Sequence, residues 1–363
     1  MMDHSLFQQK TYQPRWLFLC LLLCLTLAGC TSQSVTISIG GTATQTNSNV
    51  TAISSSNAKS GAQGVKLYIE PDAGEQVITT AINGAQKSVW LEMYLLTDKK
   101  VINALENAAH RQLDVRVILE THPYGSGSVS PTQTMDQLQA AGIKTQATSP
   151  DFALTHEKGM IIDGQTAFIM TSNFTNAALG NSKYTLNREY GIIDTNAQDV
   201  KTVQDIFTAD WNRQPFKLNN PRLVVSPLNS HATFLALIRG AKKSLAIEAE
   251  EMQDSQVEQA LTTAASHGVH IQVILPASSS SDSNSEGISI IKQAGVQVKQ
   301  DQRLYMHAKI IIIDQQKAFV GSENISTASL DKNRELGIVV SDAAVLMALG
   351  RTFQTDWSTS QAA

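Results

Sequence analysis

Short apolar runs alternate along the chain with stretches in which apolar positions recur at helical spacing. Near the start of this pattern, strands are predicted at residues 66–69, 89–94 and 115–120, with helices at about 75–86 and 100–111 between them. This order is typical of βαβ units, in which the strands run parallel in a sheet covered by helices. The sequence therefore predicts an α/β fold.

The same pattern is present twice. At an offset of 156 residues, Gly84–Val89 matches Gly240–Leu245 and Val117–Leu119 matches Val273–Leu275. The segment Asn-Arg-Glu-x-Gly-Ile also occurs in each half, and both halves close on Asp-Trp. Self-similarity of this kind indicates an internal repeat. We divide the chain into a first half, residues 65–218, and a second half, residues 219–363.

A charged segment followed by an apolar run occupies the N-terminus. Lys10 and Arg15 precede an uncharged run at residues 16–28, which is short for a spanning helix of about 20 residues and has the order of a secretory signal. The run ends in Leu-Ala-Gly before Cys30 and resembles the lipobox of bacterial lipoproteins. We expect residues 1–29 to be a signal peptide and Cys30 to carry a lipid anchor on an exported, envelope-facing protein. An uncleaved anchor is the alternative.

Composition and charge indicate which segment is a tether and which partners and metal sites are not expected. Residues 30–64 are rich in Ser, Thr, Asn and Gly with a single charge, which predicts a disordered tether. The 28 basic residues against 32 acidic ones give a net charge of −4, which argues against nucleic acid as the main partner. Two of the three cysteines lie in the signal and the third is Cys30, so no thiolate metal site is expected.

The candidate chemistry lies near the end of each half. His156 and Lys158 in the first half recur as His307 and Lys309 in the second, each pair followed by an apolar strand. Residues i and i+2 share one face of a strand, so each pair presents an imidazole beside an ammonium group. A histidine can act as nucleophile or proton carrier, and a lysine beside it can hold an anion.

These motifs resemble the phospholipase D superfamily signature, which is His-x-Lys, four residues, Asp, six residues and Gly-Ser-x-Asn. The second copy fits it in full, with Asp314, Ser322 and Asn324 in register. The first copy keeps the histidine, the lysine and two further residues of the pattern, Asp163 and Asn173. It departs from the pattern where Met170-Thr171 replaces Gly-Ser, and we expect Met170 to crowd the backbone near the substrate.

The resemblance implies two tandem repeats, each a mixed β-sheet flanked by helices, packed with pseudo-twofold symmetry around one pocket. By analogy with two-repeat members, His156 attacks phosphorus to form a phosphohistidine, and His307 protonates the leaving alcohol and then activates water. The sequence alone leaves the choice of nucleophile open. The resemblance implies no metal or other cofactor, and both active-site halves in one chain predict a functional monomer.

The resemblance also carries roles for the remaining motif residues. Glu189 and Glu335 match family glutamates that hydrogen-bond a histidine, although they could also be surface partners of Arg188 and Arg334. Asp163 and Asp314 are interpreted as structural turn residues. Contact with the phosphate oxygens is implied for Lys158, Lys309, Asn173, Asn324, Thr171 and Ser322. The acidic cluster Glu248, Glu250, Glu251 and Asp254 is expected at a strand end near the pocket or on a solvated turn.

Three classes of function follow. The first is a membrane-tethered phospholipase D that hydrolyses phosphatidylcholine or a related phospholipid to phosphatidate and free head group, or transfers the phosphatidyl group to another alcohol. The alternatives within the superfamily are a nuclease, which the net charge and few aromatics disfavour, and an enzyme of the cardiolipin hydrolase or synthase type. The third class is an inactive binding lipoprotein, which only Met170 supports.

Overall fold

The computed structural model describes residues 61–124, 130–278 and 283–363. The predicted signal peptide, the lipidation site Cys30 and residues 31–60 of the predicted tether lie outside the described residues. Residues 125–129 and 279–282 also lie outside them.

In the described residues, the first half has seven strands and four helices. The strands are β1 (Lys66–Glu70), β2 (Ser88–Met93), β3 (Asp114–Leu119), β4 (Lys144–Ala147), β5 (Lys158–Ile162), β6 (Thr166–Met170) and β7 (Asn187–Asp194). The helices are α1 (Gln76–Gly84), α2 (Lys99–His110), α3 (Pro131–Ala140) and α4 (Ala197–Asn212). The strands form one sheet in the order β1-β7-β6-β5-β2-β3-β4.

The second half repeats this arrangement. Its strands are β8 (Leu223–Ser226), β9 (Ser244–Ala249), β10 (Met252–Gln253), β11 (His270–Pro276), β12 (Gln297–Asp301), β13 (Tyr305–Met306), β14 (Lys309–Ile313), β15 (Lys317–Gly321), β16 (Ile325–Ser326), β17 (Glu335–Val340) and β18 (Gln361–Ala362). Its helices are α5 (Ser230–Gly240), α6 (Ser255–Ser266), α7 (Ser285–Gln293), α8 (Thr327–Asp331) and α9 (Ala343–Thr359). The main sheet has the order β18-β12-β11-β9-β14-β15-β17-β8.

Both main sheets are mixed, as the family resemblance implied. The βαβ part of each half is parallel, with β2, β3 and β4 in the first half and β9, β11 and β12 in the second. The motif strands β5 and β14 then join the central strands in antiparallel fashion. The carboxyl ends of β2 and β9 therefore meet the starts of the two motif strands, which is where ligands bind in open α/β sheets.

Local sequence signals repeat with the fold. Asp98 caps α2 by accepting hydrogen bonds from the amides of Lys100 and Val101. Asp254, from the acidic cluster, caps α6 in the same way. A carboxylate at this position satisfies amides that have no partner within the helix. The position of Asp254 in the cluster is therefore explained by helix capping.

Three apolar clusters hold the fold together. One cluster packs the outer helices of the first half on its sheet, and a second does the same in the second half. The third joins both halves, because strand residues such as Ile161, Ile192, Ile310 and Ile338 share it with α4 and α9. A search of the described residues finds no helix long and apolar enough to cross a membrane.

The end of the predicted tether needs a correction. Ala62 is buried, its amide donates to the carbonyl of Val339 at 2.8 Å, and its own carbonyl accepts from the amide of Ser341 at 2.9 Å. The amide of Gly64 donates to the Asp342 carboxylate at 2.9 Å. Backbone pairing with the second half thus orders residues 61–64, although their composition contains few apolar side chains.

Candidate active site

The two His-Lys pairs lie at the entrances of β5 and β14. The strands themselves begin at Lys158 and Lys309, so each histidine precedes its strand by two residues. Each lysine turns back on its own motif, because the Nζ atoms donate to the carbonyl oxygens of His156 and His307. All four side chains are buried. The spacing therefore brings each ammonium group back to the backbone of its own histidine.

Each histidine is oriented by a glutamate from the other half. His156 Nδ1 lies 3.1 Å from Glu335 Oε2, and His307 Nδ1 lies 2.7 Å from Glu189 Oε1. Both carboxylates are fully buried at the starts of β7 and β17. A carboxylate on Nδ1 leaves Nε2 as the nitrogen available for chemistry. The exchange of partners also means that neither half is complete without the other.

Thr171 and Ser322 belong to this glutamate network, which corrects their predicted contact with phosphate. The Thr171 hydroxyl donates to Glu189 Oε2 at 2.6 Å, and the Ser322 hydroxyl donates to Glu335 Oε2 at 2.7 Å. Both side chains are fully buried. A hydroxyl has one proton to donate, so these two residues position the glutamates instead.

The two lysines have different neighbours. Lys158 Nζ lies 5.1 Å from the ring centre of Tyr94, and burial lowers the pKa of this lysine to about 7. Lys309 Nζ instead donates to Glu250 Oε2 at 2.8 Å. Tyr94 and Glu250 occupy the same position of the repeat, directly after β2 and β9. The site is therefore symmetric in its motif residues and asymmetric in the residues that contact the two lysines.

Ionisation in the site also follows burial and charge. Burial lowers the pKa of His156, and the charges of Lys158 and Lys309 add to this effect while Glu335 opposes it. Burial opposes ionisation of Glu335 as well, but His156 and Lys158 hold the pKa of its carboxyl below the usual range. His156 is therefore a neutral imidazole held by an ionised carboxylate near neutral pH.

One cavity of about 1460 Å³ opens onto this centre. His156, His307, Asn173 and Asn324 all line it, which brings together four of the residues predicted from sequence. The Oδ1 atoms of both asparagines are buried without a protein partner, so each amide oxygen can accept a hydrogen bond from a hydroxyl group of a ligand. In the described part of the chain, the cavity wall contains no Lys or Arg, and its other polar residues are mainly Ser, Thr, Asn and Glu.

A family comparison agrees with this geometry. The family model described as "Cardiolipin synthase, PLD-like domain" matches residues 78–211 and 234–357, which together make up more than half of the chain. The chain belongs to the phospholipase D superfamily. Each matched segment contains one complete His-Lys motif and the glutamate that serves the other half.

Relatives of this phospholipase D family member include cardiolipin synthases. The chain is 24% identical over 337 residues to "Cardiolipin synthase" of Clostridium perfringens, covering 80% of this chain and 70% of that protein. It is also 24% identical to "Cardiolipin synthase 1" of Bacillus anthracis over 81% of this chain and 66% of that protein. Among solved structures, phosphatidylserine synthase from Haemophilus influenzae matches with a TM-score of 0.64 at 12% identity, covering 84% of this chain and 88% of that one. This last likeness shows the shared fold.

The motif aspartates of the phospholipase D-like halves lie away from the cavity. Asp163 ends the β5 hairpin and accepts hydrogen bonds from the amides of Gln86, Lys87 and Ser88. Asp314 does the same for the equivalent amides before β9. Both aspartates have positive φ angles, 56° and 52°, and turn geometry of this kind tolerates Asp. Their position is structural.

Met170 does not crowd the substrate, contrary to the expectation from sequence. Its side chain is fully buried in the apolar cluster of the first half and does not line the cavity. In the second half, a Cβ on Gly321 would lie 2.5 Å from Glu323 Oε2. The first half has Ser172 where the second has Glu323. Because that Cβ would also lie 2.4 Å from Gly337 Cα, the smaller serine removes one of the groups that exclude a side chain from this position.

This packing predicts the effect of restoring the family glycine. Met170→Gly removes a fully buried side chain, so we expect the free energy of unfolding to fall by about 2–5 kcal/mol without any rise in kcat/KM. Urea denaturation and steady-state kinetics on the same preparation would measure both. A variant with increased kcat/KM would show that Met170 does restrict the first half of the site.

The sequence interpretation missed how the arginines of the Asn-Arg-Glu segments act. Arg188 pairs with Asp356, and Arg334 pairs with Asp210, so each arginine binds the aspartate of the other half's Asp-Trp. All four side chains are buried. The repeated Asp-Trp ending was the available signal, but a repeat does not reveal which half supplies the partner. The acidic-cluster member Glu248 is also buried and accepts from the Tyr190 hydroxyl at 2.7 Å.

Proposed function

We propose that this protein moves the phosphatidyl group of a glycerophospholipid from one alcohol to another, in a reaction of the cardiolipin synthase type. The observation that carries the chemistry is the pair of cross-half contacts, His156 with Glu335 and His307 with Glu189, at one cavity. The names of the curated relatives support the lipid alternative considered from sequence more than phosphatidylcholine hydrolysis.

The proposed reaction has two displacement steps. His156 Nε2 attacks phosphorus, the bond from phosphorus to the leaving oxygen breaks, and the proton on His307 Nε2 passes to that oxygen. In the second step His307 accepts the proton of an incoming hydroxyl, whose oxygen attacks phosphorus as the phosphorus–nitrogen bond breaks. The lysines and asparagines stabilise the charge on the non-bridging oxygens. An alcohol acceptor gives transfer, and water gives phosphatidate.

The cavity wall supports a lipid over a nucleic acid. A strand of DNA or RNA carries one phosphate after another, and proteins bind it with a track of Lys and Arg. The described wall has no such residue, and it includes the acidic side chains Glu120, Glu250 and Glu251. A single phosphodiester with hydroxyl-bearing groups on either side is consistent with this lining, because the cations next to the two histidines, Lys158 and Lys309, are buried outside the described cavity wall.

The lipid anchor remains part of the proposal. We propose that residues 1–29 are removed and that Cys30 carries lipid, which would hold the two halves beside a membrane substrate. The support is the sequence around Cys30. Mass spectrometry of the mature N-terminus would test this, and an unmodified cysteine would contradict it.

The ionisation of the site predicts a pH optimum for kcat/KM. His156 must be neutral to attack, and its lowered pKa keeps it neutral below the usual histidine value near 6.5, so the acid limb should lie below pH 6.5. The positive charge of Lys158, which lies behind the cavity wall and donates to the His156 carbonyl, offsets the negative charge of the phosphate, and with a pKa of about 7 this lysine loses its proton as the pH rises through 7. We therefore expect kcat/KM to decline above about pH 7.

A pH profile of the wild type and Lys158→Arg would check this prediction. Arginine stays protonated at every accessible pH, so any activity that remains in the variant should persist above pH 7. An alkaline limb at the same pH in both proteins would show that a different group controls it.

Product analysis tests the proposed function directly. The purified full-length protein would be incubated in excess chelator with vesicles of phosphatidylglycerol, phosphatidylcholine or cardiolipin, and separately with single-stranded DNA. Cardiolipin and free glycerol formed from phosphatidylglycerol would support the proposal. Phosphatidate and choline from phosphatidylcholine would favour the hydrolase, and DNA cleavage without lipid turnover would identify a nuclease.

A further inference from the structure

The two halves differ at a position directly beside the reacting groups. Met93 pairs with Lys158, and Ala249 pairs with Lys309, in the antiparallel registers of β2 with β5 and β9 with β14. The next residue is Tyr94 in the first half and Glu250 in the second. Equivalent backbone positions thus place a neutral ring beside one histidine and a carboxylate beside the other.

Glu250 contacts both parts of the second motif. Its Oε2 atom lies 2.8 Å from Lys309 Nζ and 3.4 Å from His307 Nε2, and its Oε1 atom accepts from the Tyr305 hydroxyl at 3.0 Å. The side chain is 18% exposed. In the first half, the Tyr94 ring packs edge-on against His156 with centroids 4.7 Å apart. Within the described residues, His156 has one carboxylate partner and His307 has two.

We propose that Glu250 is a positioning residue that holds the proton on Nε2 of His307, so that two histidines made equivalent by the repeat take different tasks. The inference rests on the proposed function, since a proton donor has a role only where a phosphodiester is cleaved. A carboxylate beside Nε2 stabilises the imidazolium form. Tyr94 brings no charge to His156. The Nε2 atom of His156 therefore keeps the lone pair that attacks phosphorus.

Charge in the site is consistent with this assignment. Burial opposes ionisation of Glu250, yet His307 and Lys309 hold the pKa of its carboxyl well below the usual range. Glu250 therefore stays ionised while the proton on His307 passes to the leaving oxygen. The proton of the incoming hydroxyl then returns to Nε2, and Glu250 again stabilises the charged ring.

Leaving-group dependence distinguishes this role from general support of the fold. Glu250→Gln keeps the size of the side chain and removes its charge, and Glu251→Gln removes a charge from the next residue of the same cavity wall. The leaving group of a phospholipid is an alkoxide, which is a poor leaving group and needs an acid to protonate it. The leaving group of a p-nitrophenyl phosphodiester is p-nitrophenolate, which is stable without a proton. We expect Glu250→Gln to lower kcat about 100-fold on phospholipid and far less on the p-nitrophenyl substrate. Glu251→Gln should affect the two substrates equally.

Equal losses of kcat on the two substrates in Glu250→Gln would overturn the inference, as would no loss on either. Glu250→Asp retains the charge and should recover part of the phospholipid activity. If Glu250→Gln loses its folded circular-dichroism spectrum, Glu250→Asp replaces it in both assays. The ratio of kcat on the p-nitrophenyl substrate to kcat on phospholipid should then be higher in Glu250→Asp than in the wild type and Glu251→Gln. It should be lower than in His307→Ala.

A second measurement separates failure of this inference from failure of the proposed function. If the wild type cleaves neither substrate, the proposed function fails, but NMR titration of ring-labelled histidines still tests the Glu250 contact. His307 should lose its ring proton at a lower pH in Glu250→Gln than in the wild type or Glu251→Gln. An unchanged titration would overturn the inference. The titratable groups that contact His307 are Glu189, Glu250, Tyr305 and Lys309.

Discussion

His156→Ala should abolish the formation of a covalent intermediate and lower kcat by about 10⁴-fold or more, as expected when the nucleophile of a group-transfer enzyme is removed. The structure gives the physical reason. His156 lines the cavity, its Nδ1 is held by Glu335, and its lowered pKa leaves Nε2 unprotonated. Alanine provides no atom that can bond to phosphorus, so the remaining groups can bind the phosphodiester but cannot open it.

Two comparisons make this prediction specific. His307→Ala should retain the ability to form the phosphohistidine from a p-nitrophenyl phosphodiester, because that leaving group needs no proton. His122→Ala is the matched control, since His122 also lines the cavity while its ring is hydrogen-bonded to Thr121 rather than to a carboxylate. The readout is acid quenching with a phosphorus-labelled substrate, followed by mapping of the labelled peptide. Label on His307 in the wild type would reverse the two roles.

Much of the fold could be predicted from the sequence because the signals are local and repeated. The alternation of apolar runs gave β1 to β3 and the helices between them to within about two residues. The offset of 156 residues predicted the second copy, and the buried motif strands are almost entirely apolar. Period and repetition are properties of the chain itself, so no knowledge of distant contacts was needed.

The parts that sequence reasoning did not provide are those that depend on contacts between halves. Nothing in the order of residues shows that Glu335 serves His156 while Glu189 serves His307. Thr171 and Ser322 were assigned to phosphate because they sit in register with a motif, whereas their burial directs both hydroxyls to the glutamates. Met170 departed from the pattern, and only the structure shows that it packs in the apolar cluster of the first half, where Ser172 replaces the bulkier Glu323.

Glu250 illustrates the same limit. It was noted as one of four clustered acidic residues, and the sequence offered a strand end or a solvated turn as its place. The structure separates the cluster into a helix cap at Asp254, a buried partner of Tyr190 at Glu248 and a contact of His307 at Glu250. Composition detects such a cluster, but the direction of each side chain is determined by the sheet.

The buried ion pairs between halves predict the largest effect on stability. Arg188 binds Asp356 through two hydrogen bonds, of 2.6 and 2.9 Å, and also donates to the carbonyl of Glu70 at 2.7 Å. Asp356 is fully buried. Removing one partner of a buried pair leaves the other charge without compensation, which costs about 3–5 kcal/mol. Because Arg188 and Asp356 belong to different halves, the loss of stability should weaken the contact between the halves.

We therefore expect Arg188→Met to lower the free energy of unfolding by about 3–5 kcal/mol, measured by urea denaturation. Adding Asp356→Leu should recover part of the loss, because the uncompensated carboxylate is then removed as well. Lys201→Ala, which breaks an exposed pair with Asp205 on the surface of α4, should leave stability nearly unchanged. If Arg188→Met were as mild as Lys201→Ala, or the double variant no more stable than the single one, the pair would not be holding the halves together. The contacts of Glu335 with His156 and of Glu189 with His307 also join the two halves. A weaker contact between the halves in Arg188→Met should therefore lower kcat as well. Adding Asp356→Leu should recover activity in parallel with stability.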